Sequence, residues 1–266
     1  MRLKVLLDVK GLGMFGDVRG EFAADVTTAK TLVPSLITRL EGREKEVPFI
    51  PGSQIKGSLR SIAVSVYKLL LNRGIVTLGS KVFTKCMGAL KTSMTTGGMC
   101  DECLVGLVFG YSGVQVSPLR VSNFYPIRVD ANIDVLRAKK LYESLSCGDT
   151  WDKPPIEYVT RVRIDRCSGV SKEGALYTYE HIPCHTRFLG EIEFSKEILD
   201  SNIKGGLNAS QVYVEGLRLI LASLAQLNYE YIGRRTRCKV TILFYQPPDV
   251  GKDEYVKALL DKLTRV

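Results

Sequence analysis

The chain has 266 residues, 45% of them hydrophobic and 24% charged, a composition that excludes a disordered or collagen-like polymer and is sufficient for a full core. Thirty-seven Lys and Arg against 28 acids leave a net charge of +9 and an isoelectric point near 9.2, which favours a polyanionic partner such as nucleic acid or an anionic surface. No apolar run approaches the ~18 residues of a membrane span, and the start, Met1-Arg2-Leu3-Lys4-Val5-Leu6-Leu7-Asp8, meets an acid before a signal-peptide core forms, so a cytoplasmic protein without a membrane partner is expected.

Residues 2–9 alternate and are rich in Val and Leu, the pattern of a strand. Glycines at 11, 13, 16 and 20 then break regular structure and predict a loop over 11–20. Residues 22–39 carry no clean period, and Gly42-Arg43-Glu44-Lys45-Glu46 reads as a charged turn. Pro48 and Pro51 hold the backbone extended up to Ser53, which is placed to cap the helix that follows. There Ile55, Leu59, Ile62, Ala63, Val66, Leu69 and Leu70 recur at steps of three and four until Asn72-Arg73-Gly74 stops the run. On another side of this helix Lys56 and Arg60 are four apart and hence adjacent, close to an N-terminus whose unpaired amides favour an anion.

Residues 84–113 hold cysteines and many small residues, an irregular excursion that a bound metal would order. Seven cysteines, at 86, 100, 103, 147, 167, 184 and 238, are an odd number, and a disulfide framework is not expected. Cys100 and Cys103 form a CxxC pair that shares a structural zinc with Cys86 in one reading, the fourth ligand being open. In the other reading these thiols are buried as small apolar groups or joined in a disulfide. His181 and His185 flank Cys184 and are available to close that zinc site, to form a second one, or simply to pack.

Strand patterns follow at 119–129, 156–165, 174–182 and 187–194, with Gly169 and Gly174 bracketing a hairpin tip and a short helical stretch near 131–146. After the polar loop 147–155 and these strands, a second strong helix runs from Ala209 to Leu227, then a basic loop over Tyr231–Arg237, a strand over Cys238–Tyr245 and a short C-terminal helix. The order predicts an α+β, ferredoxin-like (RRM-like) βαββαβ core in a single domain over 1–266. Its insertions fall at about 75–118, holding the cysteines, and at about 119–195, rich in β-structure and offering a thumb-like hairpin.

The segment Pro48-Phe49-Ile50-Pro51-Gly52-Ser53-Gln54-Ile55-Lys56-Gly57-Ser58-Leu59-Arg60 closely resembles the helix-opening motif of the RAMP superfamily of CRISPR-associated proteins. The glycine-rich loop after the first strand is similar to that family's. So are Arg163-Ile164-Asp165-Arg166 through Gly174–Pro183, Tyr231–Val240 at the family's C-terminal glycine-rich loop, and Cys100–Gly110 with its closing Phe-Gly. The resemblance is to the backbone subunits of type III effector complexes. It implies a subunit that polymerises along a CRISPR guide RNA, gripping its sugar-phosphate backbone and leaving the bases to pair with a single-stranded target RNA. The implied protein partners are other effector-complex subunits and copies of itself.

Holding RNA irrespective of sequence calls for cations, hydroxyls and amides at phosphates rather than base-edge readers. The candidate RNA-binding residues are Gly52, Ser53, Lys56, Gly57 and Arg60 at the helix start, Arg161 and Arg163 on one strand face, and Arg234, Arg235 and Arg237 in the basic loop. Without the resemblance, the same cations read as solvated faces, a surface ladder and an unliganded basic loop.

Subunits of this kind commonly cut target RNA with an aspartate in the loop after the glycine-rich segment. Here the aligned position falls near Val33, and Asp25 is the best of the nearby acids, ahead of Asp17 and Glu21. A binding and assembly role is the preferred expectation. The alternatives are a target-RNA endoribonuclease, with Asp25 catalytic and a divalent metal required, and a generic RNA-binding module outside CRISPR systems. The last would stack bases on aromatics such as Phe124, Tyr125, Tyr177 and Tyr179.

Overall fold

A computed structural model of the chain describes residues 1–11, 16–17, 27–28, 30–32, 46–78, 103–110, 115–146, 156–164, 167–203, 207–232, 236–246 and 253–265. The strands in chain order are β1 (Arg2–Lys10), β2 (Gly16–Asp17), β3 (Thr27–Thr28), β4 (Lys30–Leu32), β5 (Glu46–Pro48), β6 (Leu119–Val121), β7 (Tyr125–Ile127), β8 (Glu157–Ile164), β9 (Ser171–His181), β10 (Arg187–Phe194) and β11 (Arg237–Gln246). The helices are α1 (Gly52–Asn72), α2 (Leu104–Phe109), α3 (Ile133–Ala138), α4 (Leu141–Ser146), α5 (Lys196–Asn202), α6 (Ala209–Leu227) and α7 (Glu254–Thr264).

β1 lies between β11 and β10, antiparallel to both, and β10 in turn pairs antiparallel with β6 and β7. With α1 between β1 and β6 and α6 between β10 and β11, the order β11-β1-β10-β6 is the 4-1-3-2 arrangement of a ferredoxin-like βαββαβ core. Strands 119–127 and 187–194, which the sequence pattern assigns to an insertion, are therefore strands of the core sheet. The insertion proper lies between β7 and β10.

Alternation along β1 explains the two-sided packing. Leu3, Val5, Leu7 and Val9 point to one face and join α1, α2, α6 and α7 in the main core. Leu6 points to the other, where it meets Ile127, Leu136, Leu145, Leu189 and Leu243 beneath α3 and α4.

Several local expectations are corrected. The pattern at 119–129 is two strands, because the chain leaves β10 between Val121 and Tyr125. The stretch at 131–146 is two short helices separated at Lys139 and Lys140. Leu104–Phe109, irregular by its sequence pattern, is a helix buried on every side, which leaves no periodicity to detect. α5, capped by Ser195 through the Ile198 amide at 3.3 Å, has no counterpart among the expected elements.

The segment that follows α1 is locked onto α6 by polar contacts. The buried Glu215 carboxylate accepts from the Thr77 amide at 3.2 Å, the Thr77 hydroxyl at 2.8 Å, the Leu78 amide at 2.9 Å and Gln211 Nε2 at 3.1 Å. One turn along, Arg218 donates to the Ile75 carbonyl and pairs with Asp253 at 2.7 Å. A carboxylate so fully hydrogen-bonded is tolerated inside the fold.

β8 and β9 form a two-stranded sheet of their own, and their turn passes through Gly169 at φ +69°. Val162, Ile164, Val170 and Leu176 remain exposed near its tip. Among the described residues no helix is long and apolar enough to cross a membrane.

Candidate nucleic-acid interface

The chain enters α1 through a short pairing of Ile50 with Phe124, whose amides and carbonyls exchange hydrogen bonds at 2.9 Å. Pro51 is the residue before the first turn, and its carbonyl accepts from the Gln54 and Ile55 amides at 3.0 and 3.2 Å. This corrects the expected cap: Ser53 is the second residue inside the helix, is exposed, and makes no cap hydrogen bond. Proline suits this entry because its fixed φ leads into the helix. Gly52 donates its amide to Asn123 Oδ1 at 3.0 Å, and a Cβ there would stand 2.6 Å from the Ser122 carbonyl oxygen. The close approach that Gly52 permits is thus to the chain's own β6–β7 connection.

Past this anchor, Ser53, Lys56, Gly57 and Arg60 line a cleft of about 350 Å³ together with Phe109, Gly110, Gln115 and Ser117. The opposite wall is shaped by Gly110, at φ +73°, where a Cβ would lie 2.9 Å from both the Gln115 carbonyl oxygen and the Ser117 nitrogen. Gly57 differs from Gly52 and Gly110, having nothing within 4 Å of where a Cβ would be. Neither packing nor backbone conformation requires glycine at this exposed helical position, although glycine costs ~1 kcal/mol there relative to alanine.

Among the described residues that line the cleft, Lys56 and Arg60 are the charged ones. The first turn of α1 holds no acid. Burial pushes the Lys56 ammonium below its usual pKa, and the charge of Arg60 adds to the shift. Lys56 makes no hydrogen bond or ion pair among the described residues. A partly desolvated cation beside a second cation is stabilised by an anion placed between them.

The other sequence candidates lie elsewhere. Arg237 begins β11 opposite Lys10, its guanidinium 4.7 Å from the centre of the Tyr231 ring. It adjoins the start of the glycine loop at Gly11, but β1 and β10 separate its strand from the β6 edge beside α1. Arg161 projects from the hairpin with its guanidinium 5.4 Å above the Tyr179 ring. The side chain of Arg163, and Arg234, Arg235, Asp25, Cys86 and Cys100, lie outside the described residues.

Cys103 is buried immediately before α2, and no group of three or more metal-ligating side chains occurs among the described residues. His181 is buried with Nε2 3.1 Å from Glu157, while Cys184 accepts from the Gly11 amide at 3.3 Å. Phe124 and Tyr179, weighed as stacking platforms, are both buried, and a Cβ at Gly190 would stand 2.6 Å from Phe124 Cγ. Phe124 packs the main core, and Tyr179 is buried on the hairpin with Arg161 over its ring, so neither offers a face to a base.

A model of the RAMP superfamily matches residues 28–238, most of the chain. The chain belongs to the RAMP superfamily. By sequence, no curated protein matches it. Among solved structures, a chain of a type IV-B CRISPR complex is similar to this RAMP protein over 94% of this chain and 96% of that one, with a TM-score of 0.54 and 15% identity. The match is one of fold.

The superfamily span contains α1, α2, the hairpin and α6, and so both walls of the cleft. Sequence reading singles out residues on one wall of this cleft and none on the other apart from the Phe-Gly pair. Phe109 stands in a recognisable Phe-Gly pair, whereas Gln115 and Ser117 carry no signal at all, because only chain closure brings them opposite α1.

Proposed function

We propose that this RAMP-superfamily protein is a cytoplasmic guide-RNA-binding backbone subunit of a CRISPR effector complex, of type III as its motif order suggests. The observation that carries the proposal is the α1 cleft, where partly buried Lys56 stands without an acceptor among the described residues beside Arg60, next to the open backbone of Gly57. Phosphate oxygens supply an acceptor for Lys56, and a glycine lets a sugar-phosphate chain lie close to the helix. None of these groups needs a base edge, so the grip is indifferent to sequence. Arg161 on the hairpin and Arg237 beside the glycine loop provide further phosphate contacts away from the cleft. Together they suit a strand held at several points, with copies of the subunit repeating along it.

The test is to isolate the tagged protein from its native host and sequence the small RNA that accompanies it. Guide RNAs sharing a repeat-derived end are expected; no RNA, or an unrelated mixture, overturns the reading. The accompanying proteins decide between a type III complex and a relative of the type IV-B one. Incubating the same material with complementary target RNA tests Asp25: periodic cutting abolished by Asp25→Ala, with guide binding intact, assigns the cut to that residue, and unchanged cutting removes it.

A further inference from the structure

The end of the sheet from which β1 enters the glycine loop carries a second cationic surface. In the strand register Lys10 stands opposite Arg237, and Asp8 stands between Arg187 and Lys239. Facing residues of an antiparallel pair share a side, and alternate residues return to it, so these five side chains project from one face of the sheet. Four are cations and one is an acid. Asp8 is taken up by Lys10 at 2.7 Å, and Arg187 donates to the Val129 carbonyl at 2.7 Å, while Arg237 and Lys239 are exposed. Such an excess of positive charge favours a polyanion over a neutral protein surface.

Tyr231 adjoins this surface through Arg237. The residue after it, Ile232, is fully buried in the main core and donates its amide to the Thr236 carbonyl at 2.8 Å. The tyrosine backbone is thereby fixed while its side chain stays outside, 51% exposed. The Arg237 guanidinium lies over one face of the ring at 4.7 Å from its centre, which leaves the exposure to the opposite face and the edge. A fixed, half-exposed aromatic ring beside cations has the composition of a platform for single-stranded nucleic acid: the cations hold phosphates, and the ring takes the π-face that every base presents.

We infer that Tyr231, backed by Arg237, stacks on one base of a single-stranded RNA whose adjoining phosphates meet the cations at this end of the sheet. The inference rests on the proposed RNA-binding role and adds a contact that phosphates alone do not make. Because the ring meets the face of the base and leaves its edge unread, the contact tolerates any sequence.

The test measures binding of the full chain to a single-stranded RNA and to a ribose-phosphate oligomer of the same length without bases, for the natural protein, Tyr231→Ala, Tyr231→Phe and the double variant Lys56→Ala, Arg60→Ala. Tyr231→Ala is expected to lower affinity for the RNA about fivefold to 150-fold and to leave affinity for the base-free oligomer unchanged. Tyr231→Phe keeps the ring and is expected to bind both as the natural protein does. Loss of Lys56 and Arg60 lowers affinity for both oligomers. An equal loss on both oligomers in Tyr231→Ala, no loss on either, or a loss in Tyr231→Phe as large as in Tyr231→Ala overturns the stacking contact, while continued dependence on Lys56 and Arg60 leaves the RNA-binding role standing. Absence of binding to either oligomer overturns both.

Discussion

Lys4, in the middle of β1, donates its Nζ to the carbonyl oxygen of Leu136 at 2.7 Å, beneath the sheet. It also reaches the Lys139 carbonyl, so one buried ammonium satisfies carbonyls at the C-terminal end of α3, where a cation is favoured. Burial holds its pKa below the usual lysine value. The consequence is architectural: α3 and α4 are fastened over the sheet face opposite the long helices, leaving the α1 side as the face that presents a cationic cleft.

Replacing Lys4 with Met keeps the stem and removes the donor, leaving carbonyls of α3 unpaired under the sheet. A loss of about 1–3 kcal/mol is expected in urea unfolding, with RNA affinity unchanged because Lys4 is remote from the cleft. A concurrent fall in RNA affinity counts against the assignment of the two faces.

Lys56→Ala with Arg60→Ala is expected to weaken binding to every RNA sequence by a similar factor. The slope of log affinity against log salt becomes shallower by about 1.4, or ~0.7 for each phosphate of a single strand that is no longer neutralised. Titrations at several salt concentrations with unrelated sequences measure both. A loss confined to one sequence argues for a base-reading module instead.

Gly57→Ala separates folding from binding. Nothing stands within 4 Å of the added methyl, so the helix gains about 0.5–1 kcal/mol from propensity, while a backbone lying against α1 is pushed away. Thermal unfolding and RNA titration of one sample are expected to move in opposite directions. Equal or tighter RNA binding removes Gly57 from the interface.

Asp253 pairs with Arg218 and accepts the Val256 amide at 3.0 Å as the cap of α7. Burial raises its pKa, but the Arg218 and backbone hydrogen bonds outweigh burial and hold it below 3.8. A depressed folded-state pKa gives stability that is present above the unfolded value and lost as pH falls through the folded one. Arg218→Met is therefore expected to cost about 1.5–3 kcal/mol near neutrality, with the difference from the natural protein shrinking below pH 3.8. A difference independent of pH in denaturant unfolding excludes the ion pair as its source.

Much of the framework is legible along the chain. The strand at 187–194 and the helix at 209–227 have the predicted limits because each carries a long amphipathic pattern that tertiary contacts only reinforce. The helix bearing Lys56 and Arg60 is legible for the same reason, and its opening segment carries the family signature. Leu104–Phe109 escapes because burial on all sides erases periodicity, and α5 because a seven-residue helix offers too few turns to show one.

Other features depend on closure in three dimensions. A lysine in an alternating strand reads as solvent-facing, yet Lys4 is buried because α3 brings carbonyls to it. Ser53 reads as a cap, yet Pro51 takes that place because the Ile50–Phe124 pairing sets where the helix begins. Gln115 and Ser117 come to line the cleft with Lys56 only because the chain closes back on α1. Periodicity and local motifs are properties of neighbours in sequence, so they specify the elements and the α1 wall. Which polar groups face one another, and which lack a partner, depends on residues that only the packed fold brings together.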